Sequence, residues 1–333
     1  MSSLARRSFI VSTSGTVTAL AHPWAAPERG PFAQELAGHR VNEELVAWLE
    51  TTGFQLTGLA TEQRQHAPLM LDAHLTTVTD LIDKGLYTRP VGQRLHTLAA
   101  SLAQTAGWQR FDERKHAAAN RFWRAALHDA HAAGQRDLGA GILSDLAYQM
   151  LWLNDPRATV AILDHAIPRA QHPTARSLLH LRQARAQAAL GENGACRRSL
   201  TAAEKVLGKV SADPVPAWCS WMSPADLAVD SGRCLAELGN TRQAHQLIDD
   251  GIAALPTARN KTRAVFLAYK AENHLHTGDL EQAAAAAAAS WALAQRINAP
   301  RCMAMVRDLE PHFTPHARAT GISDLLETFR AAR

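Results

Sequence analysis

From about residue 40 onward, apolar side chains recur at steps of three and four, as in LMLDAHLTTVTDLI (69–82). That spacing marks one face of an α-helix. No stretch alternates apolar and polar residues as a half-buried strand does. The periodic segments are interrupted at short turns: GLYTRPVG (85–92), NDP (154–156), GEN (191–193), GN (239–240) and TGD (277–279). The pattern predicts an all-α chain of helices roughly 12 to 16 residues long, joined by loops short enough to make successive helices antiparallel.

The turns repeat. Aligned on Arg114, Asn154, Gly191, Gly239 and Gly278, they are spaced by 40, 37, 48 and 39 residues. Seven residues before each turn stand Gly107, Ala147, Ala184, Gly232 and Ala271. Five after stand Ala119, Thr159, Cys196, Ala244 and Ala283, and twelve after stand Ala126, Ala166, Ala203, Gly251 and Ser290. All are small. Nine after each turn stand Trp123, Leu163, Leu200, Ile248 and Ala287, four of them bulky and apolar. Small residues let two antiparallel backbones approach, and a large neighbour fills the space beside the crossing. Repetition of such hairpins builds a stacked array in which each unit buries its neighbour's face.

This arrangement resembles the tetratricopeptide repeat. LGNTRQAHQLIDDGIAALP (238–256) matches that pattern best, including the closing Pro256, and TGDLEQAAAAAAASWALA (277–294) is similar. Arg114 at a turn usually held by glycine, and spacings wider than the family's, are departures. LAASLAQTAGWQRFDERKHAAANRFWRAALHDAHAAG (98–134), LSDLAYQM (143–150) and PAWCSWMSPADLAVDSGRCLAELGN (216–240) resemble the tetratricopeptide half of actinobacterial helix-turn-helix transcriptional regulators. The resemblance implies a tetratricopeptide-like helical-hairpin solenoid with a regulatory role. Five residues precede Arg6, too few for a helix-turn-helix domain, so no direct nucleic-acid binding is expected of this chain.

The expected organisation has four parts: an N-terminal segment (1–39) expected to be poorly ordered, capping helices (40–94), tetratricopeptide-like repeats (95–312) and a C-terminal capping helix (313–333). Arg6-Arg7-Ser8-Phe9-Ile10 resembles a twin-arginine export motif, followed by a weakly apolar stretch and small residues. In the regulator family such a segment also lies inside the chain. A cytoplasmic location is therefore expected, with export by the twin-arginine pathway as the alternative.

Composition narrows the function. The 333 residues are 47% hydrophobic and 20% charged, an ordinary globular balance, and alanine runs such as Ala283 to Ala289 favour helix. The net charge of +4 comes with no basic cluster larger than Arg197-Arg198, so a nucleic-acid surface gains no support. Cys196, Cys219, Cys234 and Cys302 have no zinc-ligand spacing and read as buried thiols. No stretch reaches membrane-spanning length.

Candidate chemistry is sparse. Gly139-Ala140-Gly141 lacks the third glycine and the preceding strand of a dinucleotide site. The histidine pairs His128/His131, His274/His276 and His312/His316 lack a third ligand at metal spacing. The expectation is a non-catalytic protein, with no metal and no cofactor, that binds a peptide or protein partner. The repeat register places Gln104 and Ser144 (ten before their turns) and Trp108, Tyr148, Arg185, Arg233 and Glu272 (six before theirs) on the concave strip. Arginine forks suit carboxylates and aromatic faces suit apolar or cationic groups, so a peptide carboxylate on Arg185 or Arg233 is the specific expectation. The segment DPVPAWCSWMSPADL (213–227) accounts for the longest spacing, its tryptophans expected to pin it to adjoining helices.

Overall fold

A computed structural model of the chain describes residues 40–59, 63, 66–319 and 321–331. The twin-arginine-like segment lies outside the described residues. Among the described residues there is no strand, and the one extended pairing is an isolated bridge between Arg40 and Leu86.

Among the described residues, one turn geometry, used seven times, punctuates the helices. Arg114 (φ 63°), Asn154 (60°), Gly191 (72°), Gly239 (82°) and Gly278 (75°), the five turn positions of the alignment, all adopt left-handed backbone, as do Gly134 (72°) and Asn298 (48°). In each turn the following residue donates its N–H to a carbonyl five residues back, from Lys115 to Arg110 (2.8 Å) through Ala299 to Ala294 (2.9 Å). This is the six-to-one bond of the Schellman motif, which satisfies the carbonyls left open at a helix end. Glycine adopts this backbone without strain; an L-residue with a side chain does not. Arg114 is exposed, so its substitution disturbs little else. Arg114→Gly is expected to raise the unfolding free energy by about 0.5–1 kcal/mol, read as a higher urea midpoint at unchanged slope.

Helix starts are equally local. Pro68, Pro156, Pro173, Pro224 and Pro300 open helices, where a missing N–H costs nothing. Asn42, Asp155 and Asp279 cap the first turns that follow them, and Ser223 with Asp226 forms a reciprocal capping box.

The front of the molecule is α1 (Glu43–Gly58) and α2 (Pro68–Lys84). Five hairpins follow: α3 (Arg89–Asp112) with α4 (His116–Ala132), α5 (Arg136–Trp152) with α6 (Pro156–Ala166), α7 (Pro173–Ala189) with α8 (Asn193–Leu207), α9 (Pro224–Glu237) with α10 (Thr241–Ala254), and α11 (Asn260–Thr277) with α12 (Leu280–Arg296). Then come α13 (Pro300–Arg307), the short α14 (Glu310–Phe313) and α15 (Ile322–Ala331). The two helices of each hairpin pack along each other, and each hairpin packs on the next, as an α-solenoid does.

The small residues sit at the crossings. Ala119, Thr159, Cys196, Ala244 and Ala283 are fully buried, as are Ala126, Ala166, Ala203 and Ser290. Gly107 lies under the fully buried Trp123, and a Cβ there would stand 2.4 Å from the indole Nε1. That indole donates to the Gln104 carbonyl at 3.1 Å. At the α9–α10 crossing a Cβ on Gly232 would meet the Ala244 carbonyl at 2.9 Å. At the far end α15 lays Phe329 against Trp291, ring centroids 4.9 Å apart, and closes the core with Ile322 and Leu325.

The first helix of each hairpin faces inward. In order round the wall stand α3, α5, α7, α9, α11 and α13, each touching the next, and α13 returns to touch α3. The curved array therefore completes one turn and meets itself. A polar and aromatic joint holds the seam. Asp112, at the end of α3, binds both Lys261 on α11 and Arg301 on α13, the latter at 3.0 Å. The Arg301 guanidinium also donates to the Tyr148 hydroxyl at 3.3 Å and lies over the rings of Phe111 (5.3 Å) and Trp152 (5.4 Å). Arginine suits such a place because its planar cation stacks on rings while its N–H groups bond outward.

The segment 213–227 holds a short turn at Ala217–Cys219 and the start of α9. Trp218 covers Gly141, where a Cβ would come within 2.5 Å of the indole, and donates its N–H to Asp137 at 3.2 Å. Trp221 stays 43% exposed.

Candidate functional site

The closed wall surrounds an open-mouthed cavity of about 1190 Å³. Its lining comes from α1, α3, α5, α7, α9, α11 and α13, with Trp218 and Trp221 reaching it from the 213–227 segment. Phe54 on α1, 74% exposed, and Trp221 supply apolar surface to that lining.

The register explains which side chains arrive there. An inward helix face repeats at three- and four-residue steps. The residues six before each turn, Trp108, Tyr148, Arg185, Arg233 and Glu272, all line the cavity. So do Thr105, Arg182, Asp230 and Tyr269, nine before theirs, and Ser101, Leu178, Asp226 and Val265, thirteen before. Gln104 reaches the lining from ten before. Ser144, at the same register, does not: it is fully buried between helices and receives an N–H from Arg182 at 2.7 Å. The lining thus contains the predicted strip except Ser144 and extends one residue to its side. Arg182, Asp230 and Tyr269, one residue along from the ten-before register, are lining side chains outside the predicted strip, and Asp145 at the same register is buried behind Arg182.

The two proposed arginines already have partners. Arg185 meets Glu237 at 3.3 Å and Asp230 at 3.9 Å, and Arg233 meets Glu237 at 3.3 Å and Glu272 at 3.4 Å. The Tyr269 ring packs under both guanidinium groups, 3.9 Å from Arg233 and 5.6 Å from Arg185. Across the wall Arg182 binds Asp145 at 3.0 Å and lies 5.0 Å over the Tyr148 ring, which tilts against Trp108 at 5.7 Å. Gln104 donates to the second Asp145 oxygen at 2.7 Å.

Charge inside the cavity nearly cancels. Among the described residues its lining carries seven arginine or lysine and six aspartate or glutamate side chains. Such a lining selects by placement rather than by attracting one sign of charge. Burial pushes the Asp145 carboxyl upward, with Arg182 and Gln104 pulling it back, and burial also raises Asp230 against Arg185 and Arg233. Burial lowers the Lys261 ammonium, with Asp112 opposing. Among the described residues no three His, Cys, Asp or Glu side chains gather at metal-ligand spacing, and no helix is long and apolar enough to cross a membrane. The arrangement can stack, donate and accept hydrogen bonds, and desolvate an apolar body.

Burial also sets a pH dependence. His74, His116, His180 and His274 all have pKa values lowered from 6.5, with desolvation the largest cause at each. The unfolded chain therefore takes up protons that the folded chain resists. This contribution to stability is fully present above about pH 6.5 and is lost as pH falls from there towards the folded values. The raised Asp145 and Asp230 act in the opposite sense, in the carboxylate range below. Melting temperatures measured in matched salt are expected to hold level from pH 8 to 7 and to fall below pH 6.5. A rise between pH 7 and 6 would contradict the burial assigned to these four rings.

No protein-family model matches the chain, and no curated protein matches its sequence.

Proposed function

We propose that the chain is a non-catalytic binding protein of tetratricopeptide-like build, which seats a peptide or a protruding segment of a protein partner in its central cavity. One observation carries the reading: five successive hairpins each contribute the residue six before the turn to a single cavity. The cavity is somewhat larger than pockets for drug-sized ligands, which run to about 1,000 Å³, and so offers room for a few residues of extended chain. Trp108, Tyr148 and Tyr269 supply rigid aromatic contact area, the kind of anchor that dominates peptide and protein binding. We place the protein in the cytoplasm as a regulatory component, by its resemblance to the repeat halves of transcriptional regulators. Its four cysteines are all buried free thiols, in keeping with a reducing compartment.

Thr105 lines the cavity and makes no ion pair; its hydroxyl bonds within its own helix, to the Ser101 carbonyl at 3.0 Å. Thr105→Trp is a plug that leaves the charged partners in place. Incubated with a randomised peptide library, the full chain is expected to retain a defined subset by native mass spectrometry, and the plugged variant to lose it. Equal retention by both would place binding outside the cavity and end the proposal.

A further inference from the structure

Most cations of the cavity wall are fully engaged by carboxylates at hydrogen-bond distance. Arg259 makes a two-pronged pair with Asp226, 2.8 Å on each arm, and Arg94 does the same with Glu50 at 2.9 and 2.7 Å. Arg182, Lys261 and Arg301 are satisfied by Asp145 and Asp112. Arg185 differs. Its Nη2 has Glu237 at 3.3 Å, but its Nη1 faces Asp230 across 3.9 Å and has no hydrogen-bond partner. The residue is only 8% exposed and lines the cavity. A buried donor left open is costly, and 3.9 Å is too long for a hydrogen bond. Asp230 has no closer cationic partner than Arg185, and its exposed part borders the cavity. Donor and acceptor thus stand side by side, just too far apart to satisfy each other.

We infer that this gap is a seat for a primary carboxamide, the end of an asparagine or glutamine side chain on a bound peptide. The inference deepens the peptide-binding reading above and rests on it. A primary carboxamide carries its C=O and one N–H on the same edge. The oxygen accepts from Arg185 Nη1 while the N–H donates to Asp230. A trans backbone amide cannot do this, because its C=O and N–H point in opposite directions. A ligand carboxylate on Nη1 would lie against the charges of Asp230 and Glu237. A ligand ammonium on Asp230 would lie against Arg185 and Arg233. A neutral group with both functions meets the pair without a like-charge contact, the repulsive element that specificity needs; a hydroxyl offers both on one oxygen, whereas the carboxamide offers them on two atoms of one edge, facing donor and acceptor separately. Burial holds the Asp230 carboxyl above its usual range, and an added N–H donor favours its charged form. The Tyr269 ring beside Arg185 offers the carboxamide's carbon stem an apolar surface.

The test uses two capped dipeptides, Ac-Leu-Gln-NHMe and Ac-Leu-Glu-NHMe, whose only primary carboxamide or free acid is the second side chain. Binding to the full chain is followed by ligand-detected NMR at neutral pH. The glutamine probe is expected to bind about tenfold or more tightly than the glutamate probe. Asp230→Asn preserves shape and removes the facing charge, so it should abolish or reverse that preference. Arg185→Gln should weaken the glutamine probe, and Asp230→Asn keeps the test valid if Arg185→Gln does not fold. Equal binding of the probes, binding of neither, or an unchanged preference in Asp230→Asn overturns the inference. Its failure is distinguishable from failure of the broader reading. Peptides retained only by the unplugged cavity, but without asparagine or glutamine enrichment, would refute the carboxamide seat alone. The probe preference without any library peptide retained would leave the seat and refute the peptide scaffold.

Discussion

Asp112→Ala will cost about 3 kcal/mol of stability, from a range of about 3–5 for breaking a buried pair, and open the seam of the solenoid. Asp112 is the common anion of two cations brought from 149 and 189 residues away, Lys261 and Arg301. Their side chains are 16% and 10% exposed. Removing the anion leaves both charges in a water-poor joint, which is why breaking a buried pair costs more than making it contributes. Asp112 itself keeps 21% of its side chain exposed, which places the expected cost towards the lower part of the range. The Lys261 ammonium, already pushed down by burial, would lose its main support and shed its proton more readily. Urea denaturation reads the stability change, and solution scattering reads an increase in the radius of gyration. Asp112→Asn should fall between wild type and alanine, since an amide can accept one N–H but carries no charge. A variant as stable and as compact as wild type would show that the seam is not held by this residue.

Trp123→Ala is the second large effect, about 3–5 kcal/mol. The indole is fully buried at the first hairpin crossing and touches Gly107 face on. Its ring also packs edge-on against Trp108 at 5.6 Å and tilts against Phe111 at 5.7 Å, so truncation loosens the aromatic group beneath the cavity wall. The reciprocal change, Gly107→Ala, inserts a methyl 2.4 Å from the indole nitrogen and should cost about 1–3 kcal/mol by overpacking. The two changes are not independent. In the double variant the methyl enters space the indole has left, so the combined loss should fall short of the sum by about 1 kcal/mol. Additive losses would mean that the glycine is not there to admit the tryptophan.

The local features of the fold were legible in the chain. A left-handed turn needs a residue that tolerates positive φ, and such residues punctuate an otherwise helical pattern at Asn154, Gly191, Gly239 and Gly278. Arg114 was recoverable only from the phase of its neighbours, because its own side chain argues against the turn. Gly134 and Asn298 make the same turn, but they join an outer helix to the next inner one and so stand out of phase with the hairpin tips. Helix crossings were legible for the same reason: small residues recur in phase where backbones meet.

The cavity was harder to read. A periodicity of 3.6 fixes the width of a helical face, but its direction depends on neighbours distant in sequence. The strip through Trp108, Tyr148, Arg185, Arg233 and Glu272 lines the wall, while Ser144 turned into the helix interface and Asp230 and Tyr269 took the open side. Glu237 is legible as the i+4 partner of Arg233 on α9, whereas its pairing with Arg185, and that of Arg233 with Glu272, arise only once adjacent helices are set side by side. The closing of the ring had no local signal at all. Arg301, at the start of a helix of eight residues, carries no mark that its guanidinium lies among Phe111, Tyr148 and Trp152.

The most direct test of the closed wall is a spin-label distance between the two sides of the seam. Glu113 and Pro300 are exposed and adjoin the joined residues Asp112 and Arg301, and all four native thiols are buried. With cysteines introduced at these two positions, electron–electron dipolar spectroscopy on the full chain is expected to give one short, narrow distance that lengthens and broadens in Asp112→Ala. A long or broad distribution that is the same with and without Asp112 would contradict a ring closed about a cavity.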